Sequence, residues 1–333
     1  MDGTLIIDKP RITVRSFVHE SFKDQLSLDV IQGLSADQKS IPSKYFYDYR
    51  GSILFNKISA LPEYYLTRKE LSLLHDIAPE IMNSELVGDL IELGSGANVK
   101  IKKLLNTLDA ESMKDIRYVP FDVSQKTLIA AAEELLDQYP TLHVYGIVGD
   151  FTRQLDKIPQ ASEKLIIFFG STIGNFDESF CQRFLTDVAG NMHRKDRFLV
   201  GLDLIKPKEI LEAAYDDEQG LTSTFNKNIL QVINSNLKAN FNPHKFDHHV
   251  YFNEHAEQIE MHLKANKSST IIFSELDLHI RINQGETIQT EICRKFSQES
   301  ARKMFSKAGL TVTDWITDPD DWFALAIVKT KNN

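Results

Sequence analysis

The stretch GDLIELGSG (88–96) decides the fold. A short apolar run that carries Glu92 enters the turn Gly94-Ser95-Gly96, and VKIKKLLNTL (99–108) leaves it with apolar residues at helical spacing. Strand, glycine turn and helix in that order open a βαβ unit. Small residues let a backbone approach a ligand, and the start of a helix offers free N–H groups and the positive end of its dipole. A dinucleotide fingerprint has a third glycine where this chain has Val99, so the pattern is GxGxxV. A GxG alone also fits a bare strand-to-helix turn, so the neighbouring segments decide.

Outward from the turn, strands and helices alternate. RYVPFDVS (117–124) reads as a second strand ending at Asp122, and TLIAAAEELLDQY (127–139) as an amphipathic helix capped by Ser124. LHVYGIVGDF (142–151) is a third strand, ending at Asp150; KLIIFFGSTIGNF (164–176) and RFLVGLDLI (197–205) are buried strands. This order predicts a doubly wound parallel sheet, in which ligands bind beyond the carboxyl ends of the strands. There Asp122 is placed to accept hydrogen bonds from ribose hydroxyls. Asp150 can accept from an adenine amino group, with Phe151 beside the ring. Without a third glycine for a pyrophosphate, S-adenosylmethionine fits this pocket better than NAD.

From 206 to 295 the grammar changes. Helical stretches around 208–236 give way to period-2 segments such as HHVYFN, QIEMHLKA and STIIFSELDLHIRI, which predict antiparallel strands. KMFSKAGLTVTDWITDPDDWFALAIVKT is a helix stopped at Gly309 and then two strands that can rejoin the first sheet. Residues 1–68 hold a cluster of tyrosines and phenylalanines and read as a lid or second lobe. The expected division is therefore 69–205 plus 296–333 as a cofactor domain, and 1–68 plus 206–295 as a substrate domain.

Composition narrows the class. The 333 residues carry 38 Lys+Arg against 47 Asp+Glu, a net charge of −9, which disfavours nucleic acid or an anionic membrane as partner. Two cysteines, Cys181 and Cys293, call for no disulfide framework. MDGTLIIDKPRITVR lacks a basic start followed by an apolar run, so a cytoplasmic protein without a secretory signal is expected. Five histidines fall in NPHKFDHHVYFNEHAEQIEMH, but no repeated ligand spacing accompanies them, and no metal is expected. Nor does any His–Asp or His–Asn arrangement mark Cys293 as a nucleophile.

A more specific pattern runs through IPSKYFYDYRGSILFNKISALPEYYLTRKE (41–70), LIELGSGANVK (90–100), VPFDVS (119–124), GDF (149–151), FFGSTIGNF (168–176), AYDDEQGLTSTFNKNIL (214–230), IEMHL (259–263) and ETIQTEICRKF (286–296). In these segments the chain resembles the S-adenosylmethionine-dependent L-histidine Nα-methyltransferases of ergothioneine biosynthesis. That family makes hercynine, the trimethyl betaine of histidine, by three successive methyl transfers. The resemblance implies an α/β fold: a Rossmann-like, doubly wound methyltransferase sheet with a second, α+β substrate-binding domain. It implies that Gly94, Lys100, Asp122, Asp150 and Phe151 bind S-adenosylmethionine. Tyr64, Asn175, Tyr215 and Glu291 match positions that hold histidine, Asn175 and Tyr215 at the carboxylate and Glu291 at the imidazole N–H. Met261 matches a position packing near the ring, and Tyr47 a catalytic tyrosine near the reacting amine.

One position departs from the pattern. The bacterial family has serine two residues after the glutamate, bonding the imidazole, where this chain has Cys293. A thiol is a weaker donor than a hydroxyl, and relatives in the superfamily methylate tryptophan-derived amines, so an indole substrate is the alternative. Glu291 suits any ring that carries an N–H. The implied partner is a small amino acid, handled by a monomer or weak homo-oligomer.

Overall fold

The computed structural model describes residues 3–18, 21–83, 88–160 and 163–331. In chain order its first strands are β1 (Thr4–Lys9), β2 (Ile12–Ser16), β3 (Lys39–Ser40), β4 (Gly88–Leu93), β5 (Ile116–Asp122), β6 (His143–Val148), β7 (Glu163–Phe168) and β8 (Arg197–Asp203). There follow β9 (Phe246–Asn253), β10 (Gln258–Ala265), β11 (Ser269–Phe273), β12 (Leu278–Ile282), β13 (Thr287–Arg294), β14 (Leu310–Thr317) and β15 (Phe323–Thr330). The helices are α1 (Phe22–Ser35), α2 (Tyr49–Ile58), α3 (Tyr65–Asn83), α4 (Val99–Leu105), α5 (Gln125–Gln138), α6 (Glu178–Gly190), α7 (Lys208–Ala213), α8 (Leu221–Leu237) and α9 (Gln298–Lys307).

Among the described residues, nine strands form one sheet in the order β1-β2-β6-β5-β4-β7-β8-β15-β14. Strands β2, β6, β5, β4, β7 and β8 run parallel, and β15 closes antiparallel on β8, with Phe323 opposite Asp203. Every residue of β4 is buried, as expected of a strand covered on both faces. Apolar clusters lie on the two sides of the sheet. The covering helices follow their sequence signals. In α5, Leu128, Ala132 and Leu135 face inward at helical spacing, and the Ser124 side chain accepts from Thr127 N–H. In α9, Ser297 and Ser300 form a reciprocal capping box before a stop at Gly309.

A second sheet, β3-β13-β10-β9, and the hairpin β11–β12 make up the inserted α+β part, with α8 packed on α2 and on β9. Two expectations change. The segment 164–176 is a strand only to Phe168. Gly170 and Ser171 then take positive φ (76° and 55°), which breaks the strand, and a short 3₁₀ turn covers Thr172–Asn175. The sequence pattern places residues 1–68 wholly in the substrate lobe, but β1 and β2 extend the large sheet, with β2 parallel to β6 from Ile12↔Val144 to Ser16↔Val148. The cause is pairing over a long sequence separation, which local patterning does not record.

The two sheets meet where β13 and β8 end. The Phe296 N–H donates to Asp203 O at 2.9 Å and the Ile205 N–H to Phe296 O at 3.0 Å, so the end of β13 is bound to the end of β8. The lobe is thereby carried over the carboxyl edge of the parallel strands.

Deeper in the large sheet, Lys164 and Asp196 form a fully buried pair at 2.9 Å, and Asp196 also accepts from the backbone N–H groups of Lys164 and His193. Breaking one side of such a pair costs about 3–5 kcal/mol. Asp196→Ala should therefore lower the unfolding free energy in urea by about that amount. Adding Lys164→Met should recover part of the loss, because the orphaned ammonium is removed.

Candidate active site

Five parallel strands end along one edge, and each contributes to a single cleft. At the end of β4 the turn takes positive φ at Gly94 (70°) and Gly96 (43°). A Cβ on Gly94 would lie 3.4 Å from the Phe151 ring, so the turn stays bare and close to that aromatic. The Asp122 carboxylate accepts from Gly96 N–H at 3.2 Å and Ser124 N–H at 2.8 Å, which ties the end of β5 to the glycine turn. Asp150 follows β6, and its Oδ1 accepts from the Thr152 N–H and hydroxyl. The Phe151 ring packs edge-on against Phe121, Phe168 and Phe184. Lys100, in the first turn of α4, pairs at 2.6 Å with Glu70, which is buried and also accepts from Gly170 N–H. The sequence-predicted cofactor residues are thus brought together. An acid at each of two strand ends, a bare turn and an aromatic beside it make a cradle that fits a nucleoside bearing a charged tail.

Glu92 lies beneath this cradle. Burial pushes its carboxyl up to about 8, against the opposing effects of the Tyr118 hydroxyl, which donates to it at 2.6 Å, and of Lys100.

The second half of the cleft comes from the lobe. Antiparallel pairing sets Met261 opposite Glu291 and Ile259 opposite Cys293. A bulge follows at Thr290, whose hydroxyl donates to Asn226 Oδ1 at 2.7 Å and to Met261 O at 3.1 Å. Such bulges re-aim side chains beside functional sites. Here it presents Glu291, Cys293 and Lys295 on one face, at the period of two that a strand requires. Across from them stands the 3₁₀ turn after β7, pinned by Asp203 N–H donating to the Ser171 hydroxyl at 2.9 Å. Its Asn175 side chain donates to Glu291 Oε1 at 2.8 Å.

Tyrosines close the cleft. Asp48 caps α2 by accepting from Gly51 N–H and holds the Asn228 side chain of α8 at 2.8 Å, which fixes the preceding Tyr47. Tyr47 keeps 46 % of its surface accessible, and its hydroxyl end faces Glu291 and Cys293. Burial and the charges of Glu291 and Cys293 push its hydroxyl far above the ordinary range. The LPEYY loop is wrapped by Arg68, which donates to the carbonyls of Leu61, Pro62 and Tyr64. Tyr64 meets the Tyr215 ring at 6.2 Å and the Phe55 ring at 6.0 Å. Burial pushes the Tyr64 and Tyr215 hydroxyls up as well, so the phenols of the cleft are neutral.

Two placements go beyond sequence reasoning. The Cys293 sulfur lies 3.0 Å from the Tyr215 hydroxyl and 3.1 Å from Lys295 Nζ, so its polar neighbours are these groups. Asp203, Lys206, Lys295 and Tyr65 form a buried network behind the site. Lys295 follows Glu291 and Cys293 at strand spacing, a signal present in TEICRK once that segment is read as a strand. Of the histidines set aside as metal ligands, His248 bonds Asn226 and the Tyr215 carbonyl, and His262 bonds Glu260.

Comparison with known proteins shows the family of the chain. A family model described as histidine-specific, S-adenosylmethionine-dependent methyltransferase matches residues 26–330. The chain is 39 % identical over 309 residues to the histidine N-alpha-methyltransferase of Mycolicibacterium smegmatis, across 92 % of this chain and 96 % of that protein. It is 28 % identical over 295 residues to ergothioneine biosynthesis protein 1 of Schizosaccharomyces pombe, across 83 % of this chain and 38 % of that protein. It is likewise similar, at 28 % over 224 residues and 63 % of each chain, to the 4-dimethylallyltryptophan N-methyltransferase easF of Claviceps purpurea.

Gly174 tests how tightly the two halves of the cleft meet. A Cβ there would lie 2.8 Å from Arg294 O and 3.5 Å from Cys293 Sγ, so the turn rests directly on β13. Gly174→Ala should displace Asn175 from Glu291 and lower methyl-transfer kcat/KM by roughly tenfold or more, with a circular dichroism spectrum like that of wild type.

Proposed function

The chain belongs to the histidine-specific, S-adenosylmethionine-dependent methyltransferases, and on that premise we propose how its cleft methylates the α-amino nitrogen of L-histidine three times to give hercynine. The observation that carries this reading is the convergence of Tyr47, Tyr64, Asn175, Tyr215 and Glu291, with Asn175 on the turn after β7 and the Gly94 turn ending the adjacent strand β4. An S-adenosylmethionine sulfonium supplies an electrophilic methyl group. Gly94, Lys100, Asp122, Asp150 and Phe151 hold that co-substrate: the acids accept from ribose and adenine donors, and Lys100 meets the carboxylate of the methionine tail.

Asn175 and Tyr215 take the histidine carboxylate, with Tyr64 alongside, so the amino nitrogen is aimed in line with the methyl group. Orientation supplies much of the barrier reduction when the leaving group is already good. Glu291 accepts from the imidazole N–H, and Met261 packs against the ring. Cys293 forms a wall of the ring pocket while its sulfur bonds Tyr215 and Lys295. Tyr47 lies at the reacting amine and relays the proton released between rounds, its hydroxyl accepting that proton as it gives its own to water. The phenols and the amide around the nitrogen carry no charge, so they tolerate a group that gains methyls and ends as a permanent cation. The cofactor cradle and the aromatic lobe act as two domains, with the cleft between them.

Incubation of the purified protein with S-adenosylmethionine and histidine should give products heavier by one, two and finally three methyl groups by mass spectrometry. Turnover of a tryptophan-derived amine with none of histidine would sink the reading. Asn175→Ala should raise the histidine KM roughly tenfold, the scale of a hydrogen bond to a charged group.

A pH dependence follows from Glu291. Burial pushes its carboxyl up to about 7, with Lys295 and Asn175 pulling the other way. Its ionised form, the better acceptor, gains population as pH rises through that value. The ratio of histidine kcat/KM between wild type and Glu291→Gln should therefore climb between about pH 6 and pH 8, a comparison that cancels titration of the substrate.

A further inference from the structure

Behind the tyrosines lies a charge cluster that the roles above leave unused. Asp203, at the carboxyl end of β8, is fully buried. Its Oδ1 accepts from Lys206 Nζ at 2.6 Å and its Oδ2 from Lys295 Nζ at 2.7 Å. Both lysines are buried as well. One carboxylate between two ammonium groups leaves one positive charge in excess, where water is scarce and an unmatched charge is costly.

The geometry directs that excess toward the substrate. Lys206 spends its remaining donors away from the cleft, on the Tyr65 hydroxyl at 2.8 Å and on the Leu204 carbonyl. Lys295 spends its own on the Tyr215 hydroxyl at 3.1 Å and the Cys293 sulfur at 3.1 Å. The other acid facing Lys295 is Glu291, whose Oε1 is held by Asn175 and whose carboxyl burial keeps partly protonated near neutral pH, so it balances Lys295 only in part. With its oxygen accepting from Lys295, the Tyr215 phenol is left to donate. Its present acceptor is the Cys293 sulfur at 3.0 Å, and sulfur is a weak acceptor. Exchanging sulfur for a carboxylate gives a charge-assisted bond and brings an anion to the unmatched charge.

We propose that Lys295 is a positioning residue for carboxylate recognition: it holds the Tyr215 hydroxyl as a donor and supplies the buried countercharge, so that the enzyme selects amino acids over the matching decarboxylated amines. This rests on the assignment of Tyr215 to the substrate carboxylate.

The test compares L-histidine with histamine, which keeps the imidazole and the amine and lacks the carboxylate. Wild type should prefer histidine strongly. Lys295→Met should lower kcat/KM for histidine roughly 10- to 100-fold, mainly through KM, and leave the weak histamine reaction within about threefold. Tyr215→Phe should lower kcat/KM for histidine likewise, and Lys295→Met added to it should cost little more, since the two act on one contact. Should Lys295→Met fail to fold, Lys295→Gln keeps a donor toward Asp203 while removing the charge, and is read in the same way.

Equal losses on both substrates, or additive losses in the double variant, overturn the role of Lys295 while Tyr215 keeps its place. Wild-type turnover of histamine as fast as histidine overturns the carboxylate assignment itself, and the inference with it.

Discussion

Everything in the cleft depends on the junction between the end of β8 and the end of β13. Two backbone hydrogen bonds between Asp203, Ile205 and Phe296, with the Asp203–Lys295 ion pair beside them, fix one strand end against the other. A strand reverses its faces when it slips by one residue. Once Phe296 is locked, the register leaves no choice but to present Lys295, Cys293 and Glu291 to the carboxyl edge of the parallel sheet. The Ser171 turn is bound to the same residue, through Asp203 N–H, and brings Asn175 to meet Glu291. One aspartate thus gives both walls of the site a common origin.

The legible parts of the fold were those encoded locally. The glycine turn, the acids ending β5 and β6, the Ser124 cap and the Gly309 stop are each written within a few residues, and each stands where the pattern places it. The switch from alternating α/β to antiparallel strands after 206 was equally visible, because a period of two differs from one of 3.6. What stayed hidden depends on distant partners. Strand β2 reads as a lone apolar stretch, and nothing near it says that it adds to β6 and not to the small sheet. Asp203 looks like the end of any buried strand until Lys206 and Lys295 surround it. Lys295 itself reads as a surface residue after TEIC unless the strand period is carried two positions further. The site residues were reached through the resemblance of whole segments, since Tyr47, Asn175 and Glu291 carry no local signature of their own.

The site separates two electrostatic tasks. In the proposed arrangement, neutral hydroxyls and an amide surround the reacting nitrogen and orient the amine without competing for its developing charge. The formal charges stand one layer back, in Asp203, Lys206 and Lys295 on the lobe side and in Glu70 and Lys100 on the cofactor side. In that layer Asp203 lies between two buried lysines, and Glu70 accepts from Lys100 and from Gly170 N–H, surroundings in which buried ions serve preorganisation. Cys293 belongs to both layers, forming a wall of the proposed ring pocket while its sulfur answers to Tyr215 and Lys295.

The antiparallel closure of β8 by β15 bears on how the protein is made. During synthesis the parallel core of β4, β5, β6 and β7 can assemble early, but the outer edge of β8 then offers unpaired N–H and C=O groups along an apolar strand. Its partner leaves the ribosome only after the whole inserted lobe and α9 have emerged. Nascent chains therefore hold an adhesive strand edge open until late in synthesis, the period when aggregation competes with folding. Docking of Phe323 against Asp203 ends that exposure, so one late pairing both seals the sheet and completes the chamber in which the chemistry takes place.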